Sequence, residues 1–185
     1  MSLIPAFEIG LWNAWILIVI FLCFFTSTQF LGDIGKKIAH GEEEKTLSKF
    51  TALIAVILWI YSVFLPLKTG TAWLYIGISI YLLGMIIGIT AIISIAATPP
   101  GKPFTKGMYR YSRHPLSVNM FLILLGIGVA TASWLYLLLL FILMVLTHFM
   151  VAIEERSCIA KFGDTYREYI NRTPRWIGVP KLSKD

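Results

Sequence analysis

The sequence predicts an all-α, polytopic membrane protein with about five transmembrane helices, and its composition and apolar runs carry that prediction. Of the 185 residues, 57% are hydrophobic and only 14% are charged, whereas a soluble domain carries about 25% charged residues. The mean hydropathy is +0.77. Apolar runs of about 20 residues recur along the chain, and a helix of that length crosses the roughly 30 Å hydrocarbon layer of a bilayer.

Three apolar runs in the first half of the chain predict the first three spans. They cover residues 11–30, 50–67 and 73–97. The predicted organisation is therefore a part with three spans, residues 1–97, with an inner loop at 32–49, followed by a second module at 98–185 that carries the polar motifs.

The longest charge-free segment predicts a helical hairpin. Residues 114–153 contain no Asp, Glu, Lys or Arg; as one helix they would extend roughly 60 Å, about twice the hydrocarbon thickness. The sequence Thr131-Ala132-Ser133 near the midpoint is the predicted turn. A turn there returns Glu154 and Glu155 to the membrane face that holds Arg113.

The basic residues predict the orientation of the chain. Four lie in the loop at 32–49, four at 98–113 and seven after Ile153, against Lys68 alone on the other side. Because cytoplasmic segments are enriched in Lys and Arg, we expect the N-terminus outside and the C-terminus and active site on the cytoplasmic side. The net charge of +6 then indicates membrane lipids, not nucleic acid, as the partner.

The segment after Ile153 predicts a short cytoplasmic helical tail. Apolar and aromatic residues recur there at helical spacing. Gly163 is the expected helix stop and Asp164 the expected N-cap of a new helix. The members of the repeating set are Ile159, Phe162, Tyr166, Tyr169 and Ile170.

Two polar clusters converge on the predicted inner face. One runs from Lys102 to Pro115 and combines cations, tyrosines and a histidine; the other is the pair Glu154-Glu155. Adjacent glutamates on a helix point about 100° apart, so one faces the bundle and the other faces water or a basic partner. Arg113 or Arg110 is the expected partner across the hairpin.

A purely structural interpretation of these residues stays open. Arg113-His114-Pro115 could anchor the interface and start a helix, with the glutamates paired to Arg156 and Lys161. His148, six residues before Glu154 and roughly 9 Å into the membrane, is either a site residue or a partner for a neighbouring helix.

The sequence indicates no metal site and no common catalytic motif. Cys23 and Cys158 are too few for a disulfide framework or a paired Cys-x-x-Cys site. A catalytic serine elbow, a P-loop and an HExxH motif are absent. Composition and spacing therefore locate a site without naming its reaction.

An ordered set of motifs over roughly residues 98–178 gives the reaction class by resemblance. The set is Gly107-x-Tyr109-x-x-x-Arg113-His114-Pro115, the hydrophobic hairpin, Glu154-Glu155, Lys161-Phe162-Gly163-Asp164-x-Tyr166-x-x-Tyr169 and Pro174-Arg175-Trp176. It resembles the isoprenylcysteine carboxyl methyltransferase and phospholipid methyltransferase family of integral membrane enzymes. The resemblance makes residues 98–185 the catalytic module.

The resemblance implies S-adenosylmethionine as the methyl donor, bound without a Rossmann fold. Glu154 corresponds to the family's active-site glutamate, and Arg113 is assigned to the catalytic site with it. An aromatic face such as that of Tyr109 suits the sulfonium of the donor. The residues assigned to the cofactor are Lys102, Pro103, Phe104, Tyr109, His114, Pro115, Leu116 and Ser117.

The resemblance also implies an amphiphilic acceptor, either a prenylcysteine-like carboxylate or a lipid headgroup. Two positions depart from the prenylcysteine pattern: Ser117 replaces an aromatic residue, and Met150 replaces an arginine suited to an acceptor carboxylate. The alternatives are an NADPH-dependent membrane reductase of the sterol type and a non-enzymatic membrane protein; Arg113-His114-Pro115 favours methyl transfer.

Overall fold

The computed structural model describes residues 10–30, 45–99 and 102–181 of the chain. Within these residues the protein is all-helical, as predicted, with one short 3-10 helix at Gly107–Arg110 and no β-strand beyond an isolated bridge between Asn13 and Pro66. The α-helices are α1 Trp15–Phe30, α2 Lys45–Val63, α3 Ala72–Ala96, α4 Pro115–Ala130, α5 Trp134–Phe162 and α6 Asp164–Arg172.

Two of these helices are long and apolar enough to cross a membrane. They are α3 with 25 residues and α5 with 29 residues. Three further apolar segments are shorter, at Trp15–Phe24, Leu47–Val63 and Pro115–Ala130. Helices of this length and composition indicate association with a membrane.

The second helix differs from the predicted second run. Residues 50–67 were expected to span and 32–49 to form a loop, but α2 begins at Lys45 and ends at Val63. An apolar window detects only the hydrophobic part of a helix, and polar residues such as Ser48 and Lys49 can continue the helix beyond it. The helix ends at Val63, three residues before Pro66. The carbonyl oxygen of Val63 accepts a hydrogen bond from Asn13 Nδ2 at 2.8 Å. The rest of that loop, residues 32–44, lies outside the described residues.

Helices α4 and α5 form the expected hairpin, joined by residues 131–133. Thr131 continues the last turn of α4, Ala132 adopts a left-handed φ of 51°, and Ser133 Oγ accepts from Tyr136 N as the N-cap of α5. This tight reversal lets the start of α4 and the end of α5 meet at one end of the bundle.

Helices α3 and α4 pack against each other at their glycines. A Cβ on Gly77 would contact the backbone of Gly126 and Ala130, and one on Gly126 would lie 2.7 Å from Tyr81 N. Small residues permit such close approach between helices in lipid. The Tyr81 hydroxyl then donates to Leu17 O at 2.8 Å, which ties α1 to this pair.

The C-terminal tail folds back over one end of the bundle. Gly163, with φ of 58°, ends α5 and caps α6, so the N-cap is Gly163 and not the predicted Asp164. A left-handed φ favours glycine, and this explains the one-residue difference. Tyr169 Oη donates to Tyr109 O at 2.6 Å, so α6 is attached to the segment that precedes α4.

Candidate active site

The polar segment before α4 is held in place by α3 and α6. Gly107 has a φ of 61° and lies against the side chain of Ser94, so a Cβ there would clash. Ser94 Oγ accepts a hydrogen bond from Met108 N at 3.1 Å. These contacts fix the 3-10 helix and bury Tyr109, whose ring centroid is 5.5 Å from that of Phe104.

The sequence around Pro115 sets the position of His114. Proline at the first helical position loses no intrahelical hydrogen bond and favours a helix start. His114 is therefore the N-cap residue of α4, and its backbone N–H donates to Ser112 Oγ at 3.1 Å. The imidazole is buried at the end of the bundle.

Glu155 is the centre of a buried charged cluster. Arg175 donates to it twice, from Nη2 to Oε2 at 2.6 Å and from Nε to Oε1 at 3.2 Å. Oε1 also lies 3.2 Å from His114 Nε2 and 3.3 Å from Arg113 Nη1. Only 6% of the Glu155 side chain is exposed, so the cluster replaces water around the carboxylate.

The structure brings Arg113 and His114 together with both glutamates. Arg113 pairs with Glu155, while Glu154 Oε2 lies 3.5 Å from His114 Nδ1 and its side chain is 37% exposed. The imidazole therefore lies between the two carboxylates. Glu155 is the bundle-facing member of the pair; the catalytic role predicted for Glu154 stays a prediction. Arg110, the other expected partner, is exposed.

Two opposing effects act on the pKa of His114. Burial disfavours the charged imidazolium, but hydrogen bonds to Glu154 and Glu155 and their negative charges outweigh it and raise the pKa above its usual value. The charged imidazole thus persists to higher pH than that of a free histidine. It adds positive charge beside the two arginines.

The raised pKa of His114 predicts a pH-dependent stability. This stabilisation is fully present below the unfolded value of about 6.5 and is lost as the pH rises through the folded pKa. We expect the unfolding temperature of the wild type in detergent to fall more steeply as the pH rises above about 6.5 than that of His114→Gln. Parallel curves for the two proteins would contradict this assignment.

The residues assigned to the cofactor surround one end of the bundle but differ in exposure. Tyr109, His114 and Pro115 are buried, and Lys102 is exposed. The other four, Pro103, Phe104, Leu116 and Ser117, are half-buried. Phe104 and Leu116 pack against the same apolar cluster, which contains Tyr109.

Arg113 has unused hydrogen-bonding capacity. Its side chain is only 9% exposed, and neither Nε nor Nη1 makes a hydrogen bond within the described residues. Nη1 lies at ion-pair distance from Glu155 without the alignment of a hydrogen bond. Buried donors of this kind are costly unless a ligand satisfies them. They suit an anionic group such as a carboxylate.

Three members of this arrangement had no assigned role in the sequence interpretation. They are Glu155 as the central carboxylate, Arg175 and Trp176. Trp176 lies with its ring centroid 6.5 Å from that of His114. Spacing does not single out Glu155, because the buried stripe of α5 formed by Tyr136, Leu140, Leu143, Thr147 and Val151 lies nearer to Glu154 by helical angle. Arg175 and Trp176 belong to a quoted motif, but only the folded tail shows what they contact.

Comparison with known proteins identifies the family. The family model for phospholipid methyltransferases matches residues 72–165, which run from α3 to the start of α6 and include both glutamates and Arg113-His114-Pro115. Arg175 and Trp176 lie beyond the matched segment. No curated protein matches the chain. The matched segment covers half of the sequence and contains the buried charged cluster, and the chain belongs to the phospholipid methyltransferase family.

Proposed function

We propose that this protein transfers a methyl group from S-adenosylmethionine to an amphiphilic acceptor held in the membrane. The observation that carries the proposal is the buried cluster around Glu155, which lies within the family-matched segment and leaves hydrogen-bond donors of Arg113 unused. Methyl transfer is an in-line displacement, so the protein's main contributions are positioning and electrostatics.

The residues at the cluster suit the three chemical parts of the donor. Arg113 Nε and Nη1 would hold its carboxylate, with the positive charge of His114 nearby. The face of Tyr109 would lie against its sulfonium. Phe104 and Leu116 would form an apolar slot for the adenine, and Lys102, Pro103, Pro115 and Ser117 would complete the wall. Arg113 therefore takes a binding role here, besides its contact with Glu155.

When bound, the donor supplies an electrophilic methyl group. A lone pair of the acceptor forms the new bond to that carbon while the carbon–sulfur bond breaks, and the bonding electrons stay on sulfur. Glu154 would orient the acceptor and stabilise the developing charge, because its half-exposed carboxylate lies beside His114. Glu155 would hold the side chains of His114, Arg113 and Arg175 in their positions.

The proposal includes the topology. Helices α1 to α5 would be five spans, with residues 1–97 supplying the first three and residues 98–185 the catalytic module. The excess of basic residues on one side favours a cytoplasmic active site and C-terminus, with the N-terminus outside. A water-soluble donor would then enter from the cytosol and the acceptor from the lipid.

The acceptor would be a prenylcysteine-like carboxylate or a lipid headgroup. Met150 lacks the charge that would bind a carboxylate one turn before the glutamates, and Ser117 widens the wall near Pro115. Either acceptor would still need one polar end at the cluster and one apolar end in the bilayer.

Ligand binding in detergent tests the function. We expect the purified protein to retain radiolabelled S-adenosylmethionine and not NADPH, and His114→Ala to weaken donor binding about tenfold, because the positive charge beside the donor carboxylate is lost. Ser79→Ala, on the exposed side of α3, is the control. Binding of NADPH alone would favour a reductase; binding of neither ligand would favour a non-enzymatic protein.

A further inference from the structure

Three large apolar side chains are exposed where the tail crosses the segment before α4. Ile177 is 60% exposed, Val179 is 86% exposed and Tyr111 is 50% exposed. Gly178 N donates a hydrogen bond to Tyr111 O at 3.0 Å, and this bond holds the two segments side by side. The exposed side chains therefore lie on neighbouring parts of the surface.

Three cationic residues flank these apolar side chains. Arg110 comes directly before Tyr111 and is exposed. Lys181 is also exposed, and its backbone N–H donates to Arg172 O at 2.9 Å, beside the last turn of α6. The six residues form what we name the interfacial patch: Arg110, Tyr111, Arg172, Ile177, Val179 and Lys181.

The positive charge of the interfacial patch is not balanced locally. Residues 105–112 and 172–181 contain no Asp or Glu. Arg172 pairs with Glu168 of its own helix. Within the described part of the chain, Arg110 and Lys181 form no ion pair. Unpaired surface cations beside apolar side chains favour a partner that combines negative charge with an apolar part.

The tail lies at the boundary between the apolar and the polar part of the bundle. The indole of Trp176 contacts rings in the apolar parts of α4 and α5, with centroids 5.7 Å from Phe121 and 6.1 Å from His148. The preceding residue, Arg175, pairs with Glu155 at the polar end. In a chain that spans a bilayer this boundary coincides with the lipid headgroups, so the interfacial patch lies at their level.

We propose that the interfacial patch binds the headgroups of anionic lipids in the cytoplasmic leaflet. Its apolar side chains insert between the lipid chains just below the headgroups, and Arg110 and Lys181 contact lipid phosphate oxygens. The partner is therefore a lipid surface of negative charge. The inference rests on the topology and orientation in the proposed function and not on methyl transfer itself.

A lipid surface suits the interfacial patch better than a second copy of this chain. A two-fold interface is self-complementary, so a dimer through the patch would place its three cations against the same three cations of the other copy. Those like charges repel. An anionic bilayer instead offers negative headgroups and hydrocarbon side by side, which matches the composition of the patch.

Site-directed spin labelling in bilayer nanodiscs tests the lipid surface directly. Cys23 and Cys158 are replaced by Ala, and a nitroxide is attached to the whole chain at Val179→Cys. The nanodiscs contain phosphatidylcholine alone or phosphatidylcholine mixed with phosphatidylglycerol. We expect the mixed lipid to shield the nitroxide from a water-soluble nickel complex and to expose it to lipid-soluble oxygen. The shielding should decline when the salt concentration rises.

Asn171→Cys provides the matched label position. Asn171 is exposed on the side of α6 opposite Tyr166 and Tyr169, which are buried against the bundle. A nitroxide there should remain accessible to the nickel complex in both lipids. Equal nickel access at positions 171 and 179 in the mixed lipid would overturn the proposal, and so would equal shielding of position 179 in both lipids.

Two pairs of substitutions separate the interfacial patch from the overall charge. Arg110→Gln with Lys181→Gln removes the two unpaired cations, and we expect most of the phosphatidylglycerol-dependent shielding at position 179 to be lost. Arg156→Gln with Lys161→Gln removes the same charge from exposed positions of α5 and should retain the shielding. Loss in both pairs would indicate a general attraction between a basic protein and an acidic bilayer. That result, or retention in both pairs, would contradict a defined patch.

Failure of this proposal and failure of the proposed function are distinguishable. The nitroxide is read without donor or acceptor, so an absence of methyl transfer leaves the lipid-binding result unaffected. If the nitroxide at position 179 stays in water while radiolabelled S-adenosylmethionine binds, the lipid surface is wrong and the proposed donor binding stands.

Discussion

Glu155→Gln should destabilise the protein by about 3 kcal/mol and reduce methyl transfer about 100-fold. The substitution keeps the shape of the side chain but removes the charge that two arginines and His114 share. Arg113, which is nearly buried, would be left without its counter-charge. This loss of stability is at the lower end of the range for a broken buried ion pair. The reason is that the Arg175 side chain is 29% exposed, so water can hydrate its guanidinium once the counter-charge is gone. Thermal unfolding in detergent and methyl-transfer assays measure the two effects.

Glu154→Gln is the matched control for this prediction. The neighbouring carboxylate has the same chemistry but is 37% exposed, and its Oε2 lies 3.5 Å from His114 Nδ1. We expect an unfolding temperature within about 2 °C of wild type and slower turnover with intact donor binding. Equal destabilisation by the two substitutions would mean that Glu155 is not the centre of the cluster.

Gly77→Val should destabilise the packing of α3 on α4 by about 3 kcal/mol. A Cβ at position 77 would meet backbone atoms of Gly126 and Ala130, which cannot move aside as a flexible side chain would. The two helices would have to separate, and Pro115 at the start of α4 would shift with them. The measurement is the unfolding temperature in detergent, with donor binding as a second readout.

Ser79→Val is the control for that substitution. It introduces the same side chain two residues along α3, on an exposed part of the helix. We expect little change in stability there, because the new methyl groups face outward. A loss at position 79 as large as that at position 77 would show that valine itself, and not the helix contact, is responsible.

The helical architecture could be predicted because length and charge constrain it strongly. The charge-free stretch 114–153 is too long for one span, so the hairpin and its turn at 131–133 follow from bilayer thickness. The ends of helices were less predictable. Helix α2 begins at Lys45, before the apolar run, because polar residues can also form a helix and an apolar window does not detect them.

The choice between the two glutamates shows what spacing alone leaves open. The helical angle requires Glu154 and Glu155 to face different ways, but only the contacts with Arg113, His114 and Arg175 identify Glu155 as the buried one. The buried stripe of α5 would by itself have favoured Glu154, which lies nearer to it by helical angle. In a membrane span both faces are apolar, so hydrophobic periodicity is a poor guide.

The contributions of the tail required the tertiary structure. Arg175 reaches Glu155 across 20 positions of sequence, and Trp176 reaches Phe121 and His148. The segment 173–181 is held largely by backbone hydrogen bonds to residues 111, 113 and 172. Because these bonds involve no side chains, the amino-acid sequence shows no pattern that predicts them. The motif Pro174-Arg175-Trp176 indicates that the segment has a role, but it does not indicate which residues the segment contacts.

Transfer of a tritiated methyl group tests the central claim most directly. Purified protein in vesicles receives S-adenosylmethionine labelled at the methyl group, with N-acetyl-S-farnesylcysteine or phosphatidylethanolamine as acceptor, and the organic phase is counted. We predict that wild type moves tritium into the organic phase with at least one acceptor, and that Glu155→Gln moves about 100-fold less. Donor binding without any tritium in the organic phase, or equal transfer by Glu155→Gln, would contradict a methyltransferase centred on this cluster.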